Sequence, residues 1–331
     1  MAGSNATTNK TTQLGMEVTP GTGVAATKRV DAISFEPSIK LNLKKWMSQG
    51  RRYPSAVTPG REWTEWKLTH LPDFNALSYL LMSTLGVVTP TTHSAGTLSK
   101  DSIWTGAATG YLTPQTYTVE KGDAKHAGKV SYGLVTGFNI HGNSDASDGA
   151  GAMIGQKWQD AISMTSSGSV TAVEKAQITG PMWDWYLDTA IGSIGGTALT
   201  NLLDHDLSVA GMFGPKFTSS SANAGTYKDH VDLAPTFDLK LAMETDTAGM
   251  SPLAYTRLGS TVFIRGRATG PIIEGAIPYM LTCDLAMKCT AIQPFGDDGG
   301  VYKIEWTFSA DDSTSATWPY LITLTNKIAT L

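Results

Sequence analysis

Apolar and polar residues alternate along most of this chain, which is the pattern of β-strands with one buried and one exposed face. In residues 277–291 the odd positions from Ile277 to Cys289 are all apolar, and several of the even positions are polar. Shorter runs of the same kind occupy residues 130–140, 237–243, 302–308 and 320–324. Residues 295–300, rich in Gly and Asp, are predicted to form a hairpin turn. The chain is therefore predicted to be mainly β.

Helical spacing is confined to two short segments. Asp73 is predicted to cap a helix over residues 74–85, whose apolar face carries Phe74, Leu77, Leu81 and Leu85. A second helix is predicted to begin near Asp246. Gly249 and Pro252 interrupt it, so we expect it to last only one or two turns.

The two helical segments belong to stretches that resemble each other. Residues 66–86 and 239–259 lie 173 positions apart and agree at seven of 21 positions without a gap. The identical pairs are Lys67/Lys240, Leu68/Leu241, Asp73/Asp246, Ser78/Ser251, Leu80/Leu253, Leu85/Leu258 and Gly86/Gly259. A repeat of this kind indicates that one structural unit occurs twice.

Three further landmarks occur in the same order around each copy. They are an upstream Gly-Thr, a downstream Tyr-x-Leu and a later Asp-Gly turn, at Gly21, Tyr132 and Asp148, then at Gly196, Tyr279 and Asp298. We therefore predict a tandem duplication, with a first domain over 1–170 and a second over 171–331. The boundary is expected within 160–180. Each domain is predicted to be a β-sandwich with one short helix and long assembly loops.

Long polar segments interrupt this plan. Residues 87–118, rich in Thr, Gly and Pro, form an insertion in the first domain and are expected on the surface, with an added hairpin as one possible form. Residues 143–157 and 218–230 are predicted to be long loops. Loops of this length on β-sandwiches are common places for subunit contacts.

Composition narrows the functional classes. The 331 residues are 41% hydrophobic, enough for real cores, and only 16% are charged. A net charge of −4 argues against tight wrapping by nucleic acid, which needs basic patches. No apolar run reaches the ~18 residues of a membrane span. The N-terminus is polar and lacks the apolar stretch of a secretion signal. We therefore expect a protein that stays in the cytoplasm or in a particle assembled there.

Candidate chemistry is weak throughout. Asp204-His205-Asp206 looks like a ligand set, but neighbours on a strand point to opposite faces and cannot converge. Lys228-Asp229-His230 with Asp232 is expected in a loop, and Gly192–Gly196 lacks the lysine of a phosphate-binding loop. Cys283 and Cys289 lie too far apart on one strand to form a disulfide. We predict no catalytic, cofactor or metal residue, and no enzyme.

One basic cluster and nine tryptophans remain. The cluster, interleaved with Trp46 and Tyr53, is a solvated or intersubunit surface in one interpretation and a nucleic-acid patch in the other. Its members are Lys40, Lys44, Lys45, Arg51, Arg52 and Arg61. The tryptophans are expected to fill cores, with interface anchors as the alternative.

Residues 15–27, GMEVTPGTGVAAT, resemble the G-x-E-x-T-x-G-T-A-V-A-A-T opening of the tail tube (major tail) proteins of long-tailed bacteriophages, with Gly23 where alanine is usual. The C-terminal run from Ile273 through Asp284-Leu285-Ala286 to Asp298-Gly299 is similar to the closing sheet of these proteins. The duplicated plan is similar to tube proteins with two fused tube domains.

This resemblance implies a structural virion protein rather than an enzyme. Three chains would form a trimeric, pseudo-hexameric ring, and rings would stack into a hollow tube in the virion tail, assembled in the host cytoplasm. Its partners would be further copies of itself, the tape-measure, tail-terminator and distal tail proteins, and transiently the viral DNA, with no membrane. Residues 1–30 and the long loops are candidates for ties between rings. Net charge predicts a weakly acidic lumen.

An alternative function remains open. A tandem β-sandwich adhesin or phage decoration protein would bind glycans through loops that carry Trp and Tyr, and would not form filaments. Electron microscopy of concentrated protein separates the two, because only a tube protein forms hollow filaments.

Overall fold

The computed structural model describes residues 9–106, 112–219, 225–311 and 318–331. Strands make up 53% of the chain and helices 8%, so the mainly β prediction is confirmed. The strands are β1 (Thr11–Met16), β2 (Lys28–Arg29), β3 (Ile33–Trp46), β4 (Ala56–His70), β5 (Thr91–Thr92), β6 (Lys100–Thr105), β7 (Tyr117–Gly122), β8 (Ala127–Asn143), β9 (Ser147–Gly155), β10 (Thr171–Ala172), β11 (Trp183–Asp188), β12 (Leu202–Ala210), β13 (Phe213–Lys216), β14 (Asp229–Asp232), β15 (Thr236–Glu244), β16 (Val262–Glu274), β17 (Ile277–Ile292), β18 (Gly296–Asp298), β19 (Val301–Ala310) and β20 (Tyr320–Asn326). The α-helices are α1 (Leu77–Thr84) and α2 (Pro252–Leu258).

Both helices are shorter than or shifted from the predicted segments. Asp73 does not cap α1 directly. Its Oδ1 accepts the backbone N–H groups of Asn75 and Ala76 and closes the turn before the helix. Asp246 does the same before α2, where its Oδ1 accepts the N–H of Gly249 at 2.7 Å. The two aspartates of the repeat therefore have the same local role.

The strands pair in the same order in two parts of the chain. In the N-terminal strand set the neighbours run β1-β7-β8-β9-β4-β3, with α1 in the connection from β4 to β7. In the C-terminal strand set they run β11-β16-β17-β19-β15-β12, with α2 in the connection from β15 to β16. Each strand of one set has a counterpart in the other.

The register agrees as well. A β-bulge lies directly before Gly137 where β8 pairs with β9, and directly before Ala291 where β17 pairs with β19. Both bulges lie two strands away from the identical lysines Lys67 and Lys240, and the ladders connect them in the same register. Gly137 therefore corresponds to Ala291, and this correspondence fixes the rest of β8 and β17.

The correspondence corrects two predicted landmarks. Tyr132 precedes Gly137 by five residues and so corresponds to Ala286, not to Tyr279. Asp148 lies inside β9 and forms no turn, because β9 begins at Ser147. The predicted loop over 143–157 is wrong for the same reason. Asp298 does precede a hairpin turn, between β18 and β19.

The two Gly-Thr segments lie in loops that a carboxylate holds in the same way. Glu17 follows β1, and its Oε2 accepts the N–H of Gly21 at 2.8 Å. Asp188 ends β11, and its Oδ2 accepts the N–H groups of Gly195 and Gly196 at 2.9 and 3.1 Å. In each strand set a buried carboxylate fixes the loop that follows the first strand.

The two strand sets are joined directly. β12 pairs with β15 on one edge and with residues 137–143 of β8 on the other, in an antiparallel ladder from Ala210/Gly137 to Asp204/Asn143. This ladder, which we call the internal joint, makes one sheet continuous across both strand sets.

The insertion at 87–118 is more than a surface loop. It contributes the predicted hairpin, β5 with β6, and β6 then adds a strand to β20 near the C-terminus. Trp104 of β6 is buried and donates its indole N–H to Gly86 O at 3.0 Å. Glu274 accepts hydrogen bonds from residues 97–99, and these bonds, led by the Ser99 hydroxyl, lower the pKa of Glu274 to about 2. Residues 107–111 of the insertion lie outside the described residues.

Candidate functional site

The outer edge of β3 is the candidate assembly surface. Its counterpart β12 has strand partners on both edges, whereas β3 pairs only with β4. No other strand in the described residues lies along the second edge of β3. An exposed strand edge presents unpaired N–H and C=O groups to another chain.

The hydrogen-bond direction along this edge can be determined. Leu41 lies opposite Glu62 in the β3–β4 ladder, and Glu62 donates its N–H away from β3, to Gly225 O at 2.9 Å. Leu41 and Glu62 thus form a non-hydrogen-bonded pair, in which both residues direct their backbone N–H and C=O groups away from the paired strand. Leu41 therefore presents its N–H and C=O to the open edge, and so does Ile39 two residues before it.

A second open edge lies on β17. Residues 277–287 of β17 pair with β16 on one edge, and residues 287–292 pair with β19 on the other. Beyond Met287, the edge of β17 that pairs with β16 therefore has no strand partner in the described part of the chain. The corresponding segment of β8, from Gly137, is the one that holds β12 in the internal joint. Lys288 and residues 290–292 are exposed.

The hairpin of β3 and β4 extends beyond the body of the protein. From residue 39 to residue 61 almost every side chain is exposed, with Trp46 exposed by 68% and Tyr53 by 80%. We call residues 39–61 the ribbon. A two-stranded hairpin without a packed face is marginally stable by itself in water. The ribbon is therefore the part of the described chain that most lacks a partner.

The predicted basic cluster lies on the ribbon. Residues 40–61 hold six cations and no acid, which leaves −10 for the rest of a chain with net charge −4. Lys40 lies 3.4 Å from Glu65 of β4, and Arg61 lies over the ring of Phe217, 4.9 Å from its centroid. The two interpretations of the cluster both stay open on these contacts.

The triplet Asp204-His205-Asp206 behaves as its alternation predicted. Asp204 Oδ2 lies 2.9 Å from His141 Nε2, and Asp206 accepts from the Asn139 amide at 2.8 Å. His205 points to the opposite face and contacts Trp183. The three side chains do not converge.

The other weak candidates are structural too. The Gly-rich segment 192–196 wraps its backbone N–H groups around the carboxylate of Asp188, so its cradle holds a side chain of the same chain. Asp229 pairs with Lys216 at 3.1 Å, and His230 contacts the Tyr132 hydroxyl at 2.9 Å. Within the described residues no group of three His, Cys, Asp or Glu side chains has a metal-binding arrangement. Cys283 and Cys289 are both free thiols.

The tryptophans divide between core and surface. Trp66, Trp104 and Trp306 are fully buried, as the core interpretation predicts. Trp46 is instead exposed on the ribbon, where it suits the anchor interpretation.

Sequence reasoning missed the histidine that crosses the internal joint. His141 of β8 lies between two carboxylates, with Nδ1 at 3.0 Å from Asp148 and Nε2 at 2.9 Å from Asp204. Ionised carboxylates only accept hydrogen bonds, so both contacts require an imidazolium that donates from both nitrogens. Burial lowers the pKa of His141, but the hydrogen bonds to Asp204 and Asp148 outweigh it and raise the pKa above its usual value.

We expect the internal joint to weaken at alkaline pH. Because the pKa of His141 is higher in the folded protein, its protonation stabilises the fold fully at pH values below the unfolded pKa, near 6.5. This stabilisation is lost as the pH rises through the folded pKa. Because the His141 side chain keeps 32% of its surface exposed, screening limits the effect to about 1 kcal/mol or less. Urea unfolding at pH 6 and pH 9 measures it. His141→Gln is expected to remove this pH dependence, and an unchanged dependence in that variant contradicts the assignment.

No known family model matches the sequence, and a search of curated proteins finds no match. In the described residues neither helix is long and apolar enough to cross a membrane.

Proposed function

We propose that this protein is a structural virion protein, the tail tube protein of a long-tailed bacteriophage, and that it acts by forming stacked rings. The observation that carries the proposal is the internal joint together with the two open edges. β12 is held by β8, while their counterparts β3 and β17 both lack this partner. A second copy of the chain supplies the missing contact, β3 of one copy against β17 of the next.

The internal joint predicts the register between copies. Ala210 lies opposite Gly137, Val209 opposite Phe138 and Ser208 opposite Asn139. The corresponding pairs between copies are Lys40 with Ala291, Ile39 with Ile292 and Ser38 with Gln293. Pro37 then lies opposite Pro294. Neither residue has an N–H to donate, so the ladder between copies ends there.

The same correspondence between the two strand sets supports a tandem arrangement. We infer two tube domains, 1–170 and 171–331, each contributing one sheet to a common wall. Contacts between unlike surfaces close into a ring when their rotation allows it. Each chain has one internal joint and forms one joint with the next copy. Three chains therefore give six joints, the pseudo-hexameric ring that the sequence resemblance implies. Closure pairs the open edges of β3 and β17 at every joint between copies.

The ribbon suits contacts between stacked rings. Its six cations, and the net charge of −10 on the rest of the chain, favour contact between the ribbon of one copy and the body of another. Stacked rings form a tube that houses a tape-measure protein and later conducts DNA. Tail-terminator and distal tail proteins close its ends. Since these activities break and form no covalent bond, the proposal includes no catalytic residue, cofactor or metal.

A disulfide tests the predicted register. We expect the double variant Ser38→Cys with Gln293→Cys to form disulfides between copies when it is oxidised. The corresponding pair, Ser208 with Asn139, is antiparallel and directly opposed. Opposed pairs have Cα separations of about 4.5 to 5.5 Å, within disulfide range. Non-reducing electrophoresis is expected to show a ladder that stops at three chains.

Each single variant serves as the control, because neither should form this ladder. Both retain the native thiols Cys283 and Cys289, so any bands that come from them appear in the controls as well. A double variant that assembles and yet forms no specific crosslink contradicts the register. A ladder that continues well beyond three contradicts a trimeric ring.

A further inference from the structure

The ribbon has a counterpart in the C-terminal strand set, the hairpin of β13 and β14. β13 continues β12 and β14 leads into β15, as the two strands of the ribbon continue and lead into the rest of β3 and β4. In both ladders the returning strand has one extra residue near the start of the hairpin. The last pairs, Trp46 with Ala56 and Lys216 with Asp229, are therefore equivalent. The two hairpins can thus be compared residue by residue.

The β13–β14 hairpin folds over the N-terminal strand set of its own chain, next to the internal joint. Phe213 has 1% of its surface exposed, and Tyr227 has none. The Tyr227 hydroxyl donates to Tyr132 O at 2.6 Å, and the Tyr227 carbonyl accepts from the Gln156 amide at 2.7 Å. The N-terminal strand set therefore covers the inner face of this hairpin.

The end of the β13–β14 hairpin lies where β4 leaves the ribbon. Phe217 directly follows β13, and its ring lies 5.7 Å from the ring of Trp63 and 4.9 Å from the guanidinium carbon of Arg61. Glu62 donates its N–H to Gly225 O at 2.9 Å. Within one chain, the tip of the β13–β14 hairpin therefore rests on the base of the ribbon.

The ribbon has an apolar face. Alternate residues of a strand point to opposite faces, so Leu41 and Leu43 share one face, and the ladder places Val57 on the same face. Leu41 and Leu43 are each exposed by 48%, and Val57 by 53%. The opposite face carries Lys44 and Trp46. Within the described residues, the apolar face of the ribbon has no cover.

This apolar face corresponds to the buried face of the β13–β14 hairpin. The shared register matches Leu43 with Phe213 and Val57 with His230. The rings of Phe213 and His230 lie 5.5 Å apart, and His230 Nδ1 lies 2.9 Å from the Tyr132 hydroxyl of the N-terminal strand set. The ribbon therefore exposes the face that its counterpart buries.

We propose that the ribbon of one copy folds over the C-terminal strand set of the next copy. This inference rests on the proposed joint between β3 and β17, which brings these two surfaces together. Met47, the counterpart of Phe217, then lies on residues 234–236 of the next copy, the counterparts of residues 61–63. Leu233 beside them is exposed by 49%, so the contact covers apolar surface on both copies. Around a ring, the tip of each hairpin rests on the base of the next.

The two faces of the ribbon then have different partners. Its apolar face contacts the neighbour in the same ring. Lys44 and Trp46 point the other way, so they stay available for the contact between stacked rings. Both contacts can therefore form at once.

The two hairpins differ at one place near the joint. A Cβ atom on Gly211 would lie 2.4 Å from Thr136 O, and the ribbon has Leu41 in the corresponding position. The ribbon must therefore lie farther from Thr290 of the next copy than Gly211 lies from Thr136. A crosslinker with some reach suits this contact better than a disulfide.

A chemical crosslink on the full chain tests the contact. The double variant Met47→Cys with Ala234→Cys, treated with a short bismaleimide after assembly, is expected to give a ladder that stops at three chains on denaturing electrophoresis. Phe217→Cys with Arg61→Cys is the matched control, because these residues are the corresponding pair within one chain. It should crosslink inside the chain and give no ladder. The single variants reveal any product of the native thiols.

A second set of variants tests the apolar face. Leu43→Ser with Val57→Ser is expected to raise the protein concentration at which rings form by about tenfold or more, since two apolar side chains lose their burial. Asn42→Ser with Thr58→Ser, on the opposite face, is the matched control and should form rings as the unchanged protein does. Sedimentation velocity measures ring formation, and circular dichroism checks that each variant folds.

The outcomes separate this contact from the ring itself. Rings that form without the crosslink between positions 47 and 234, or a Leu43/Val57 variant that forms rings at the unchanged concentration, overturn this inference and leave the proposed function standing. Crosslinked chains that do not close into rings support the contact and contradict the ring. An unchanged protein that does not associate contradicts both.

Discussion

Ile39→Pro is expected to leave the protein folded but unable to form rings or filaments. Ile39 directs its N–H to the open edge of β3, since Leu41 two residues on lies opposite the outward-donating Glu62. Proline removes that donor and leaves the β3–β4 ladder intact. Each joint between copies loses about 1 to 3 kcal/mol of association free energy, and this loss is repeated at every such joint of a ring. Sedimentation velocity measures the surviving oligomer.

Ile39→Thr is the matched control, because it changes the same side chain and keeps the N–H. We expect it to assemble more weakly than the unchanged protein but to reach the same filaments. The account is wrong about this edge if Ile39→Pro is folded by circular dichroism and still forms filaments at the same protein concentration.

Trp306→Ala is expected to lower the free energy of unfolding by about 3 to 5 kcal/mol, the usual cost of emptying a buried aromatic site. Trp306 of β19 has no exposed surface, and its indole N–H donates to Gly249 O at 3.0 Å. This bond fixes the turn before α2. Chemical denaturation followed by circular dichroism measures the change.

Two variants separate the causes of that loss. Trp306→Phe keeps most of the buried ring and removes the hydrogen bond, so a smaller loss of about 1 to 3 kcal/mol is expected. Trp46→Ala removes the same side chain from an exposed site and should change stability by less than about 0.5 kcal/mol. Equal losses from Trp306→Ala and Trp46→Ala would contradict the core assignment.

Much of the strand content could be predicted because its period is set by burial on one face. The run 277–291 matches β17 closely, and its odd positions are buried as far as Met287. The turn at Asp298 was also predictable, since Gly299 adopts a φ of 61° that glycine tolerates best. Burial and turn chemistry are local properties that a sequence displays directly.

The pairing of the two repeats could be predicted only in part. Asp73 and Asp246 have the same local role because each carboxylate accepts backbone N–H groups of the residues that follow it in the chain. Tyr132 and Tyr279 were matched wrongly, because strand register depends on hydrogen bonds to distant strands rather than on a short motif. A difference in length between the two copies shifts such motifs without changing the sheet.

The candidate site depends on contacts that the sequence does not display. The basic cluster was visible, but its place on a projecting hairpin depends on which edge of β3 stays unpaired. His141 and Asp204 are 63 positions apart and meet only through the internal joint. The alternation of Ile39, Leu41 and Leu43 was a usable signal, because these apolar residues line a strand with no core beneath it.

Cryo-electron microscopy of concentrated protein tests the central claim most directly. The account predicts hollow filaments built from rings of three chains, with β3 of each copy paired in antiparallel fashion to residues 288–293 of its neighbour. Discrete particles under every condition, or rings in which the outer edge of β3 faces solvent, would contradict it.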